Sequence, residues 1–164
     1  MHTLARARSA ISPESRAVRK ALGDIVSSAE RSQSLFGRKA GAISQIWALV
    51  NECAEPGWDG SGAHAVDRLA AFAAADFIRA LPDGAPLPDV GPEPDGAISL
   101  DWIQSRNRLF SLSVGISNRL AYAWLDGSDR GHAVARFDGE KIPARVLEGI
   151  EGIMKYGNAA IGPR

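Results

Sequence analysis

From Ile98 to Phe137 the chain alternates apolar and polar positions with a period of two. Ile98, Leu100 and Trp102 fall on one side while Ser99 and Asp101 fall on the other, the pattern of a strand with one face buried. Phe110, Leu112, Val114 and Ile116 share a face of a second run, and Leu120, Tyr122 and Trp124 share a face of a third. A fourth run sets Val134 and Arg136 against Ala133, Ala135 and Phe137. The separators Ser105-Arg106-Asn107, Ser117-Asn118 and Asp126-Gly127-Ser128-Asp129 are turn sequences, in which Asn and Gly accept the positive φ of tight hairpins. These runs predict a four-stranded antiparallel meander. Its apolar face needs a cover, and the amphipathic stretches on either side supply one.

Ser12-Pro13-Glu14 reads as a helix start, with Ser12 as cap, Pro13 in the first turn and Glu14 at the positive end of the dipole. The helix is expected to reach about Ala29, on a narrow stripe of Val18, Leu22, Ile25 and Val26 that Gly23 weakens. Such a helix needs a partner. The segment 32–39 follows neither period and is expected to lie between helices. A second helix resumes near Gly41, with Ile43, Ile46, Trp47, Leu49 and Val50 buried, and ends at Glu55-Pro56-Gly57. The loop Trp58 to Ala63 follows, with Trp58 anchoring it on the core and Asp59 bonding to nearby amides. A third helix is expected from about His64, with Val66, Leu69, Ala70, Ala73, Phe77, Ile78 and Leu81 inward and Arg68, Asp76 and Arg79 facing water. Pro82 stops it. The stretch Pro82 to Pro94 holds five of the nine prolines and reads as an extended connector. Pro143 starts a last helix that buries Val146, Leu147, Ile150, Ile153 and Met154 and closes at Tyr156-Gly157-Asn158. The predicted fold is α+β: a meander covered by N-terminal helices and one C-terminal helix, spanning 13–157, with a basic arm at 1–12 and a tail at 158–164.

A length of 164 residues, with 45% apolar and 23% charged, suits one globular domain. The single Cys53 excludes an internal disulfide and fits a reducing cytoplasm, where its apolar helix makes it an inert packed thiol. No window has the length of apolar sequence that a membrane span or a secretory signal requires. Met1 to Ala10 is Arg- and Ser-containing and acid-free, superficially like an organelle transit segment; a solvated arm is the reading taken. Net charge is zero but unevenly spread, since the chain up to Gly41 carries eight Lys/Arg against three acids. That polarity suits a partner with an acidic or phosphate-bearing surface, or packing of the basic arm on the acidic half of its own chain.

Signals for chemistry are sparse. His64 and His132 each lack a second metal ligand at helical or strand spacing. Asp89, Glu93, Asp95 and Asp101 lie close in sequence but lack the alternation and terminal Glu of a calcium loop. Nucleophile elbow, phosphate loop and dinucleotide fingerprint are all missing, and Gly57 to Gly62 follows a helix rather than a strand. The expectation is a protein without catalytic residues, metal or cofactor; an enzyme would have to centre on Asp59, His64 and Asp101. Trp102, Tyr122 and Trp124 share a strand-face pattern that can stack bases or fill a core. Their neighbouring loops are acidic or mixed, so direct nucleic-acid binding is not expected.

Leu35 and Phe36 are adjacent large apolar residues in a polar, basic, Gly-flanked segment. They either plug the space between the first two helices or form a short linear motif for another protein. Gln33-Ser34-Leu35-Phe36 resembles the bacterial sliding-clamp-binding motif, in which a Gln, then Ser or Asp, then Leu-Phe engage an apolar pocket of the replication clamp. The match departs at one place: the motif's Gln sits two residues before the Ser, where this chain has Ser32, and Gln33 stands one residue late. The resemblance implies Leu35 and Phe36 as anchors on the clamp (β subunit), with Arg31, Arg38 and Lys39 as a basic flank that speeds association with an acidic rim. A second resemblance covers more of the chain. Trp58-Asp59-Gly60-x-Gly62-Ala63, followed by Pro-Glu-Pro-Asp-Gly-x-Ile-x-Leu-x-Trp at 92–102, is similar to a family of small bacterial proteins, some in toxin–antitoxin-like pairs. It also resembles toxins that block the sliding clamp and are restrained by an antitoxin acting as a protease adaptor. The implied function is toxin-like inhibition of DNA replication by clamp binding, in the cytoplasm, with a cognate antitoxin. The alternative is a non-catalytic partner-binding module, antitoxin or accessory, that uses the sheet face or the proline-rich connector.

Overall fold

The computed structural model describes residues 13–155 and, within the first helix, the side chains of 16–28 and 37–52. The basic arm, the tail and the Tyr156-Gly157-Asn158 closure lie outside the described residues. Helix α1 spans Pro13–Glu52 and α2 spans Arg68–Ala80. Five strands follow, β1 (Asp89–Pro92), β2 (Ile98–Ser105), β3 (Arg108–Val114), β4 (Arg119–Asp126) and β5 (Asp129–Arg136), and α3 (Ala144–Lys155) completes the fold. The fold class is α+β. The chain divides into two compact units, Met1–Phe36 and Gly37–Arg164, and α1 contributes to both.

The expected pair of N-terminal helices is a single helix of 40 residues, and segment 32–39 is helical backbone rather than a break. After Pro13 nothing in this stretch stops a helix. Ser, Gln, Arg, Lys, Leu and Ala all propagate, and the glycines at 23, 37 and 41 each cost only about 1 kcal/mol relative to Ala. In the unit Gly37–Arg164, α1 buries Ala42, Ile46 and Val50, a stripe at four-residue spacing, and Cys53 extends it.

The sheet is an antiparallel meander in the order β1-β2-β3-β4-β5, one strand more than expected. The added strand lies inside the proline connector: Val90 pairs with Leu100 and Pro92 with Ile98. Proline is tolerated because β1 is an edge, where the missing N–H faces no ladder partner. The inner face carries Ile98, Leu100 and Trp102 of β2, Phe110, Leu112 and Val114 of β3, and Leu120 and Tyr122 of β4, all buried. Ile116, expected on that face, is 68% exposed because β3 ends at Val114. Trp102 is enclosed, and its indole N–H donates to the Pro86 carbonyl at 2.8 Å, tying the connector to the sheet. Phe77 of α2 meets Trp102 and Phe137 edge to face, with ring centroids 6.3 and 5.5 Å apart.

Helix α2 starts later than expected, at Arg68, with the Asp67 carboxylate capping it by accepting from the Leu69 amide at 2.7 Å. Residues 64–67 are instead extended and bonded to the turn before β2: His64 N–H donates to Pro94 O and Asp67 N–H to Gly96 O. The residues that follow the first of the two stretches behind the family resemblance thus pair with the second, and both serve the scaffold. Gly96 is required there, since its φ is 92° and a Cβ would lie 2.9 Å from the Ala65 carbonyl. The buried face of α2 is largely alanine (Ala70, Ala71, Ala74 and Ala75), which leaves Leu69, expected inside, 63% exposed.

Candidate functional site

Two features of the described residues are not explained by folding alone. The first lies in α1. Val18, Leu22, Ile25 and Val26 are 59%, 56%, 64% and 54% exposed, four large apolar side chains at i, i+4, i+7 and i+8 on one helical stripe. Arg16, Arg19 and Lys20, all exposed, make the same segment basic. Unsatisfied apolar stripes of this kind mark interaction surfaces more often than chance exposure of single residues.

Gln33, Ser34, Leu35 and Phe36 fall within α1, and their side chains, with that of Arg31, lie outside the described residues. Of the basic flank, Arg38 is exposed. Lys39 is not a free flanking charge. Its ammonium donates to the carbonyls of Arg79 and Leu81 at the end of α2 and stands 3.8 Å from Asp83. It satisfies carbonyls that the end of a helix leaves without partners.

The second feature is a cleft of about 420 Å³ between the β4–β5 hairpin and α3. Its floor is aromatic. Phe110 and Tyr122 stack with centroids 5.4 Å apart and 22° between planes, and Tyr122 continues to Trp124 at 6.1 Å. Around them stand Asp126, Asp129, Arg145 and Glu148, and α3 lines the cleft with Gly149 and Gly152. Two glycines hold the rings in place: a Cβ on Gly131 would come 2.3 Å from the Trp124 ring, and one on Gly149 would come 2.5 Å from Phe110. The Trp124 indole N–H points to Asp129 Oδ2 at 3.4 Å. Arg108 binds Asp126 Oδ1 at 2.9 Å and donates to the Gly152 carbonyl at 2.8 Å, bracing α3 against the hairpin. Sequence reading missed this cleft. The available signal was the Gly149, Gly152 pair interrupting the inward face of α3, together with Gly131 directly across from Trp124.

The residues singled out for an enzymatic centre are spread among structural duties. Asp59 Oδ1 accepts from the amides of Ser61 and Ala63 at 2.8 and 3.0 Å, and those hydrogen bonds hold its carboxyl below the usual range. His64 gives its N–H to Pro94, and its carbonyl accepts from the Trp58 indole at 2.8 Å, the anchor expected for that loop. Asp101 accepts from the hydroxyls of Ser99 and Ser111 on the outer sheet face. Beside it Glu93 accepts from the Ser113 hydroxyl at 2.7 Å; burial pushes its carboxyl up, against that hydrogen bond, and the charges of Asp95 and Asp101 add to the rise. A carboxyl raised in the folded state favours folding only in acid, and that contribution is lost as pH climbs through the folded value. Cys53 is buried, and burial, then the charge of Glu52, pushes its thiol up, away from nucleophilic use. Among the described residues no group of three or more His, Cys, Asp or Glu is placed to hold a metal, and no helix is long and apolar enough to cross a membrane.

Fold and surface together define a helix-covered antiparallel meander with an exposed basic, apolar helical stripe and an aromatic cleft. No family model, curated protein or solved structure matches this chain.

Proposed function

We propose that this protein acts by binding another protein and that α1 is the element it presents. The observation that carries this reading is the stripe of Val18, Leu22, Ile25 and Val26, each more than half exposed beside Arg16, Arg19 and Lys20. An amphipathic helix laid into an apolar groove is a standard mode of protein recognition. Completing the burial of four half-exposed side chains is worth roughly 1 kcal/mol each, about 4 kcal/mol in all, which by itself corresponds to no better than millimolar affinity, so further contacts along the helix and a complementary acidic rim must supply the rest.

The sharper form of the proposal takes the partner to be the bacterial sliding clamp, engaged through Gln33, Ser34, Leu35 and Phe36, which makes the protein a toxin-like inhibitor of DNA replication with a cognate antitoxin. The resemblance of those four residues supports it, as does their place on the same helix as the stripe. An extended mode of docking requires a turn of α1 to unwind, and Gly37 lowers that cost by about 1 kcal/mol relative to Ala. A second reading, an antitoxin or accessory module that binds through the outer sheet face, is favoured by the exposure of Ile103 and Val134 there. The connector is a weaker alternative, because Ala85, Leu87 and Val90 pack against the core.

The test is calorimetric titration of purified sliding clamp with three chains: wild type, Leu35→Ala/Phe36→Ala, and Val18→Ser/Leu22→Ser/Ile25→Ser. Clamp binding that the double variant loses, with circular dichroism and melting unchanged, supports the motif; loss in the triple variant alone assigns the contact to the stripe. Absence of wild-type binding overturns the clamp reading. Melting of the triple variant well below wild type would show that the stripe serves folding and would overturn the broader proposal.

A further inference from the structure

We propose that the cleft between α3 and the β4–β5 hairpin binds an organic cation, with its charge near Asp129 and Glu148 and its apolar portion against Tyr122 and Trp124. The inference is independent of α1.

Size, surface and charge point the same way. A volume of about 420 Å³ is in the range of sites for small ligands and exceeds what a single side chain fills. Phe110 and Tyr122, both buried, stack at 22° behind Trp124, which is tilted by 32° from Tyr122 and partly exposed, so the indole offers the accessible π surface, whose negative electrostatic potential attracts cations. The charged lining consists of three carboxylates and one guanidinium. Asp126 is neutralised by Arg108, but among the described residues Asp129 and Glu148 have no ion-pair partner within 4.0 Å. Arg145 offsets one of them, and the remaining carboxylate together with the π faces disfavours an anion.

The cleft is also preorganised. Gly131 and Gly149 permit the Trp124 and Phe110 rings to rest against backbone, and Arg108 fixes α3 to the hairpin through the Gly152 carbonyl. Little ordering remains for a ligand to impose, which favours binding of a small group. The matching chemistry is a guanidinium or alkylammonium attached to an apolar body. It is carried either by an Arg or Lys side chain of a peptide or by a free small molecule.

The test is a nuclear magnetic resonance titration of the full chain, following the Trp124 indole N–H, assigned with Trp124→Phe. The probes are N-acetyl-arginine amide, its neutral isostere N-acetyl-citrulline amide, benzyltrimethylammonium and N-acetyl-aspartate amide. The expected result is saturable binding of both cations, with the citrulline and aspartate probes at least tenfold weaker. Asp129→Asn and Glu148→Gln are expected to weaken cation binding three- to thirtyfold, the range of a desolvated cation–π or charge contact, without moving the melting temperature. Both positions are exposed, so these variants keep the test valid even if Trp124→Phe perturbs the fold. Tighter binding of the arginine probe points to a basic peptide, and tighter binding of benzyltrimethylammonium points to a small molecule. Equal binding of the citrulline probe, preference for aspartate, or indifference to both acid variants overturns the proposal.

Discussion

Helix α1 carries two apolar stripes of similar spacing and opposite fate. In residues 16–28 the stripe Val18, Leu22, Ile25 and Val26 is more than half exposed, whereas in residues 37–52 Ala42, Ile46 and Val50 are at most 7% exposed. Periodicity in a sequence therefore announces a face that must be covered without saying what covers it. The second stripe is covered by this chain's own core. The first has no cover among the described residues, and that difference is the physical basis for the proposal that the protein is a binder.

The largest effect expected from breaking this contrast is at Ile46, which is fully buried. Ile46→Ala removes methylene groups from a packed interior and is expected to cost about 2–5 kcal/mol, with melting lowered by several degrees. Leu22→Ala, the matched truncation on the exposed stripe, is expected to stay within about 0.5 kcal/mol of wild type while weakening partner binding. Equal losses in chemical denaturation would abolish the distinction between the two stripes.

Glycine to alanine changes sharpen it. Ala is the better helix former, yet at Gly149 the new Cβ meets the Phe110 ring at 2.5 Å. Gly149→Ala is expected to destabilise by about 1–3 kcal/mol through overpacking and to perturb the aromatic cleft. A smaller effect is expected where the two halves of α1 adjoin. Lys39→Met leaves the carbonyls of Arg79 and Leu81 short of a charged donor and should cost about 1–2 kcal/mol, whereas Arg38→Met, on an exposed neighbour, should be neutral. Thermal melts of the pair separate a structural lysine from a free one.

Much of the sheet was legible in the sequence, because a period of two with turn residues between runs leaves few alternatives. Ile98, Leu100, Trp102, Phe110, Leu112, Val114 and Leu120 are all buried as the alternation requires. Strand β1 was hidden by the composition of the connector: proline argues against a central strand, but a four-residue edge strand needs donors on only one side. The continuity of α1 was hidden by Leu35-Phe36-Gly37, which breaks the apolar period without breaking the backbone. The Leu69 misassignment has a related cause, since a stripe of alanines beside the core lets α2 approach the sheet closely and turns its larger neighbour outward. The cleft was illegible because its walls come from four separate elements and its defining residues include glycines, whose role is to be absent from space that Trp124 and Phe110 occupy.

The smallest effect, and the most discriminating for the first stripe, is at Gly23. Beyond its chain neighbours and the adjoining helix backbone, its Cβ position has no heavy atom within 4 Å, so alanine there adds helix propensity without new side-chain contacts. Gly23→Ala should stabilise the N-terminal half of α1 by about 0.5–1 kcal/mol, raising helical circular dichroism at low denaturant. The cooperative unfolding of residues 37–155 should not move, because those side chains draw their stability from a core that does not include Gly23. If binding also requires α1 to be helical around the stripe, the same substitution should tighten partner affinity up to about fivefold by reducing the ordering cost. If docking instead requires α1 to unwind near the stripe, affinity should fall by a similar factor. The sign of that change tells whether the stripe docks as a helix laid into a groove or only after local unwinding.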